Sequence, residues 1–231
     1  MSAYIFILCP PFSGSTLLWR LVATSGAVSA LPREGQFISE VKGIMRRDPW
    51  NAEAKLPWKE IKAVWDGYWD LAKPLLVEKS PPNLLRAGDI AAHFSPVYFL
   101  LMVRNPYAHC EGMIRRGLGT ATEAAEFAVY CMRRQADNAE RLSNVLSFSY
   151  EDLVAHPASV SERIQTFIPD IGPLQHGQRF TLPSIDGVVT RGIEDLNEKK
   201  ISNLSASERI DITRVLRNNA DVLRYWGYEY V

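Results

Sequence analysis

The residues best able to do chemistry in this chain stand where apolar runs end. Cys9-Pro10-Pro11-Phe12-Ser13-Gly14-Ser15-Thr16-Leu17 joins the apolar run Tyr4 to Leu8 to a stretch in which Leu17, Leu18, Leu21 and Val22 recur at helical spacing. A loop that ends at a helix N-terminus aims several unpaired backbone N–H groups, with the positive end of the helix dipole, at one point where an anionic oxygen can sit. Gly14 lets the backbone come close, and Ser13, Ser15 and Thr16 add hydroxyl donors. Serine and threonine are also ordinary helix caps, so by itself the loop reads equally as a phosphate seat or as a cap. It is not a Gly-x4-Gly-Lys-Ser/Thr nucleoside triphosphate loop, because the second glycine and the lysine are missing. A kinase is therefore the less favoured alternative.

Two cations stand in similar positions. Arg104 follows the run Phe99 to Val103 and precedes Asn105-Pro106, at the carboxyl end of a strand, where open α/β sheets bind ligands. A guanidinium there can hold a phosphate in two-point contact, or make a surface ion pair. Lys79 closes the run Leu75 to Glu78, just before Ser80-Pro81-Pro82, a plausible helix start. An ammonium at that rim can stabilise charge building on a transferring group, or simply be solvated.

The elements that must carry these residues are continuous apolar runs alternating with helical patterns, as in a parallel sheet with crossover helices. Four strands are predicted: Tyr4 to Leu8, Leu75 to Glu78, Val97 to Val103, and Val145 to Tyr150. Helices are expected from Ser15 to about Gly26, from the Thr120-x-x-Glu123 capping signal to about Leu142, and after Ser205-x-x-Glu208. The stretch holding Trp50, Trp58, Trp65 and Trp69 reads as short helices, walling a substrate pocket or lidding the core. Residues 170 to 200 read as a long loop. The expectation is an α/β, P-loop-like three-layer fold with a central, mostly parallel sheet of about four or five strands flanked by helices.

Composition narrows the partners. With 231 residues, 47% of them hydrophobic, the chain can bury a full core and reads as one domain spanning 1–231. Twenty-six basic residues balance 26 acidic ones, so no global field recruits nucleic acid or an anionic membrane. Cys9, Cys110 and Cys131 have no zinc or redox spacing, which fits a reducing cytoplasm and argues against a structural metal. The run Tyr4 to Leu8 is too short for a secretion signal, and no run approaches the roughly 20 apolar residues that cross a bilayer.

Four motifs, in order along the chain, resemble the sulfotransferases that use 3′-phosphoadenosine-5′-phosphosulfate (PAPS). Pro-x-Phe-Ser-Gly-Ser-Thr-Leu-Leu is similar to the family's 5′-phosphosulfate loop. Val77-Glu78-Lys79-Ser80-Pro81 resembles the Glu-Lys-Ser/Thr-Pro of the glycan- and tyrosylprotein-directed branch. Phe99 to Tyr107 is similar to the 3′-phosphate strand and turn, and Phe148-Ser-Tyr150-Glu151-Asp152-Leu153 to a fourth family segment, followed by His156-Pro157 and a helix ending in Phe167. Trp226-Gly227-Tyr228 fits many bacterial members. The resemblance covers about residues 4 to 228.

The resemblance implies a role for each position. Phe12, Ser13, Gly14, Ser15, Thr16 and Leu17 would hold the 5′ end of the donor. Arg104 and the position of Gly112 would hold the 3′-phosphate, Tyr150 would touch the adenine, and Lys79 would steady the moving group. Glu34 lies at the interval of the family's carboxylate base, with Glu40 as the fallback and His93 and His109 as weaker candidates. Two positions depart from the pattern: Phe12 replaces a basic residue, and Gly112 replaces a serine whose contact could pass to Arg115, Arg116 or Arg191. The implied activity is sulfuryl transfer from PAPS to a hydroxyl or amine of a small-molecule acceptor, with a glycan or peptide second, releasing 3′-phosphoadenosine-5′-phosphate (PAP) without a metal. The departures keep a second reading open, a PAP- or PAPS-binding protein that has lost transfer chemistry.

Overall fold

The computed structural model describes residues 2–184 and 187–230. In chain order the elements are β1 (Ala3–Leu8), α1 (Ser15–Val22), β2 (Val28–Ala30), α2 (Ser39–Met45), α3 (Trp58–Asp66), β3 (Leu75–Glu78), α4 (Ala87–His93), β4 (Val97–Val103), α5 (Pro106–Ile114), α6 (Ala121–Arg141), β5 (Val145–Ser149), α7 (Tyr150–Ala155), α8 (Pro157–Phe167), β6 (Phe180–Ser184), β7 (Gly187–Arg191), α9 (Asn197–Ser202), α10 (Ala206–Arg217) and α11 (Ala220–Trp226). Strands β1 to β5 form one sheet in the order β2-β3-β1-β4-β5 with every pairing parallel. This is the three-layer α/β architecture expected.

Burial on both faces explains why these strands read as unbroken apolar runs. Alternate residues of β1 feed opposite layers: Ile5 and Ile7 pack with α1 and α8, whereas Tyr4, Phe6 and Leu8 pack with α2, α3 and α4. A third apolar cluster joins α5, α6, α10 and α11. Both predicted capping boxes form, at Thr120 with Glu123 and at Ser205 with Glu208.

Two expectations need correction, and a third resolves between its two alternatives. Helix α1 stops at Val22, four residues short of Gly26, and the chain turns there into β2, a short strand that lacks the length to register as an apolar run. Residues 170 to 200 are not one loop. They contain the antiparallel pair β6 and β7, in register Phe180↔Arg191 and Leu182↔Val189, followed by α9. Only Phe180 and Leu182 of the pair are buried, separated by exposed Thr181, and β7 is exposed or half-buried throughout, so neither strand forms the continuous apolar run that marks β1, β3 and β4. The tryptophans pack on the core: Trp58 and Trp65 are buried against Phe94, Trp69 is buried against Trp65, and Trp50 is half-buried edge-on to Phe127. Of the two alternatives the stretch thus takes the one that covers the core, and no tryptophan lines the cavity described below.

Candidate functional site

The carboxyl ends of β1, β3 and β4 are adjacent, and the loops leaving them meet at one cavity of about 420 Å³. Its wall includes Phe12 and Gly14 to Leu17 from the first loop, Lys79 after β3 and Arg104 after β4. Glu34, Tyr150 and Arg191 also line it, and Leu182 to Ser184 of the hairpin form the far side.

The first loop is shaped by two residues in the left-handed region, Phe12 (φ 61°) and Gly14 (φ 86°). Gly14 is the N-cap of α1, and no other residue fits there, because a Cβ would stand 2.6 Å from Cδ2 of Tyr150. The Tyr150 ring therefore lies against the loop. Ser15 and Thr16 face the cavity, whereas Ser13 is fully buried and its hydroxyl has no partner among the described residues. Ser13 thus stands outside the wall, contrary to the expectation that all three hydroxyls face an anion.

Arg104 is 5% exposed and held on three sides. Its Nε donates to Asn197 Oδ1 at 2.8 Å, one terminal nitrogen donates to the Phe12 carbonyl at 3.0 Å, and the guanidinium lies 3.9 Å over the Tyr150 ring. The other terminal nitrogen is buried with no partner among the described residues. A buried cationic donor without an acceptor is costly, and an anion in the cavity would satisfy it. Burial pulls the Arg104 pKa below its ordinary value, while Tyr150, Glu151, Asp195 and Glu111 act in the opposite direction. Asn197 is in turn fixed by Glu151, which accepts from Asn197 Nδ2 at 2.5 Å, from the Asn105 N–H at 2.9 Å, and from the Tyr228 hydroxyl at 2.8 Å. Tyr228 of the Trp226-Gly227-Tyr228 segment thereby supports the arginine through Glu151 and Asn197.

Across the cavity, Lys79 Nζ donates to Glu34 Oε1 at 2.5 Å and to Thr16 Oγ1 at 3.2 Å. The lysine side chain is 3% exposed and the glutamate 22%. Glu34 Oε2 accepts from Gln36 Nε2 at 2.5 Å. A carboxylate beside an ammonium at the cavity rim can accept a proton from a bound hydroxyl, and the ammonium can follow charge onto a bound anion.

The alternatives for the carboxylate fall away from this cavity. Glu40 is exposed and bonds Ser39 and Tyr68, and the Ser39 hydroxyl leads in pulling its pKa down. His93 is exposed at the end of α4 against the Asp89 carbonyl. His109 is buried between Phe12 and Phe127, and burial, helped by the charges of Arg104 and Lys200, pushes its pKa down to about 3. It is a neutral packing residue.

Phe12 sits with its ring edge-on to His109 and with the Arg116 guanidinium 4.7 Å from its centroid. Gly112 lies behind that ring rather than in the cavity wall, so it offers the cavity no contact. Of the three arginines considered in its place, Arg116 and Arg191 line the cavity, whereas Arg115 pairs with Glu111 at 3.4 Å. Sequence reasoning missed Lys200, a cavity-lining cation paired with the buried Glu111, and Asn197, the partner of Arg104. Both lie on α9, inside the stretch read as loop, and nothing local marks them. Among the described residues no group of three or more His, Cys, Asp or Glu side chains is placed to hold a metal ion, and no helix is long and apolar enough to cross a membrane.

A parallel sheet with a glycine-turned loop at its first helix, and with cations gathered at its carboxyl edge, defines an α/β protein of P-loop-like architecture with a cavity lined by cationic side chains. Residues 4–169 match the model of the sulfotransferase family, and the chain belongs to that family. Solved structures agree on the fold. The sulfotransferase domain of the Synechococcus PCC 7002 olefin synthase is 20% identical, with a TM-score of 0.59 and 95% of each chain covered. A sulfotransferase from Alicyclobacillus acidocaldarius is 13% identical with a TM-score of 0.61, covering 99% of this chain and 97% of the other. Mouse sulfotransferase SULT7A1, solved in complex with PAP, is 12% identical with a TM-score of 0.56, covering 98% and 89%. No curated protein sequence matches the chain.

Proposed function

We propose that this protein transfers a sulfuryl group from PAPS to a hydroxyl or amine of a small-molecule acceptor, a glycan or peptide being the second choice of acceptor. The observation that carries the reading is the convergence of the 12–17 turn, Arg104 with its unpartnered buried nitrogen, and the Lys79–Glu34 pair on one cavity. The mouse relative solved with PAP supports the choice of nucleotide.

In this reading the N–H groups at the start of α1, with Ser15 and Thr16, hold the 5′ end of the donor, and Tyr150 flanks the adenine. Arg104 takes the 3′-phosphate, with Arg191, Arg116 and Lys200 adding positive charge at the cavity wall. Lys79 turns from Glu34 to the sulfuryl oxygens when the donor enters, which frees Glu34 to accept the acceptor proton. The acceptor oxygen or nitrogen then bonds to sulfur as the bond from sulfur to the 5′-phosphate oxygen breaks, and PAP leaves with that electron pair. As in phosphoryl transfer, alignment and electrostatic stabilisation supply most of the catalysis. The work falls to Lys79, because position 12 offers a ring and no charge. The chemistry proposed fits a cytoplasmic enzyme acting on a soluble substrate.

Thermal shift tests the donor. PAP is expected to raise Tm at concentrations where adenosine 5′-monophosphate and ADP do not, and equal shifts from all three would end the reading. Incubation with PAPS and a panel of alcohols, phenols and amines is then expected to add one sulfonate mass to an acceptor. Phe12 supports a second reading, a nucleotide-binding protein without turnover, for which PAP would stabilise the protein while no acceptor gained mass.

A further inference from the structure

The Glu34–Lys79 pair has a second layer behind it that the proposed chemistry does not use. Glu78 is fully buried, and each of its hydrogen-bond donors is neutral: the Gly35 N–H at 2.9 Å, Ser80 Oγ at 2.5 Å and Asn83 Nδ2 at 2.7 Å. A carboxyl group there is an expensive way to fill space, since an apolar side chain of similar volume usually serves a core better. Its donors show what it holds. Gly35 directly follows Glu34, and the Gly35 carbonyl accepts from Trp65 Nε1 at 3.3 Å, so the peptide unit after Glu34 and the one after Gly35 are both tied to buried side chains. The fit admits no side chain, because a Cβ on residue 35 would stand 2.4 Å from the Trp65 ring and 2.9 Å from Glu78 Oε1. Gln36, which donates to Glu34, is itself tied by its N–H to Ser80 Oγ at 3.1 Å.

We infer that Glu78 is a positioning residue, which with the Trp65 indole grips Gly35 and so sets Glu34 against Lys79. Successive residues of an extended chain point to opposite sides. Glu78 accordingly faces the tryptophan layer beside Gly35, and Lys79 faces α1 and Thr16. One strand end thus delivers the cation and anchors the backbone of its carboxylate partner. The inference rests on the proposed roles of Glu34 and Lys79 for its functional meaning, but its geometry can be tested without an acceptor.

The test measures acetylation of Lys79 by an N-hydroxysuccinimide ester of acetate, by mass spectrometry, with exposed Lys59 as internal reference. Alkylation of buried Cys131 reports global loosening, and a PAP thermal shift reports the donor site. In Glu78→Met the volume is kept and the grip is lost, and Lys79 is expected to react at least tenfold faster relative to Lys59, with Cys131 still unreactive. Glu78→Gln keeps an acceptor for Gly35, and once the Asn83 amide turns over its own amide can donate to Asn83 Oδ1, which has no partner among the described residues. It is expected to protect Lys79 within twofold of the parent. Trp65→Phe, which removes only the indole side of the grip, is expected to speed the reaction at least threefold, and it decides the matter if Glu78→Met leaves Cys131 reactive. Protection of Lys79 unchanged in the deciding variant, or Glu78→Gln reacting as fast as Glu78→Met, overturns the inference. Absence of a PAP shift in the parent protein would instead overturn the proposed donor and leave the labelling result to judge the grip.

Discussion

Phe12 occupies the space that a side chain at residue 112 would need: a Cβ on Gly112 would stand 2.7 Å from the Phe12 Cβ and 3.0 Å from its Cγ. The two positions that depart from the sulfotransferase pattern are therefore a single packing solution. Phe12 is a non-glycine residue at φ 61°, a conformation that persists only when its surroundings hold it. His109, Gly112 and Arg116 hold its ring, and Arg104 holds its carbonyl.

Gly112→Ser is expected to lower stability by roughly 1–3 kcal/mol, the usual range for overpacking a buried site. Adding Phe12→Ala should recover part of that loss, so a double-mutant cycle in urea should show coupling above about 1 kcal/mol. Additive effects would mean that the two positions are independent.

Arg104→Ala is expected to weaken PAP binding about 10- to 100-fold, as befits loss of charged hydrogen bonds to a phosphate, and to change adenosine 5′-monophosphate binding by less than about threefold. Titration calorimetry separates the two. Arg104→Lys should rescue little, because an ammonium cannot reproduce the fork that Asn197 and the Phe12 carbonyl hold in place.

Lys79→Ala is expected to cut PAPS turnover by about 10²- to 10³-fold and to leave PAP affinity within about threefold, since the proposed partner of Lys79 is the sulfuryl group that PAP lacks. Glu34→Gln should cost about 10²- to 10⁴-fold in kcat. Glu40→Gln, outside the cavity, should cost nothing measurable in the same assay.

Stability should respond to pH with opposite signs at two buried groups. Burial pushes the Glu78 carboxyl up from 4.5 to about 7, with the nearby Glu34 charge adding to the rise and Ser80, the Gly35 N–H and Asn83 opposing it. The folded protein then binds the Glu78 proton more tightly than the unfolded chain. This stabilisation is full below pH 4.5 and is lost as pH climbs to about 7, so Glu78→Gln should gain on the parent by roughly 1–3 kcal/mol over that interval. His109 runs the other way: its pKa falls from 6.5 to about 3, and stability is lost as pH drops through that window, by up to about 1.4 kcal/mol per pH unit. His109→Gln should remove one proton from the acid limb of a urea-unfolding series.

Much of the scaffold was legible because it is local. Strand β1, the loop and the start of α1 follow from five consecutive apolar residues, a glycine and a helical repeat, and the capping boxes at Thr120 and Ser205 formed as their spacing implied. The hairpin β6–β7 and helix α9 were illegible for the converse reason. Their exposed faces carry no apolar period, and they are held by contacts such as Asn197 with Arg104, 93 positions apart.

By itself the sequence determined the parallel α/β framework and which strand ends carry Arg104, Lys79 and the 12–17 turn, because apolar periodicity and helix-start chemistry are written in neighbouring residues. Only the tertiary structure decided that these ends open on one cavity, that Glu34 rather than Glu40 meets Lys79, and that Phe12 and Gly112 compensate each other. Those outcomes depend on distances between side chains far apart in the chain, and such distances exist only once the packed core has brought the segments together.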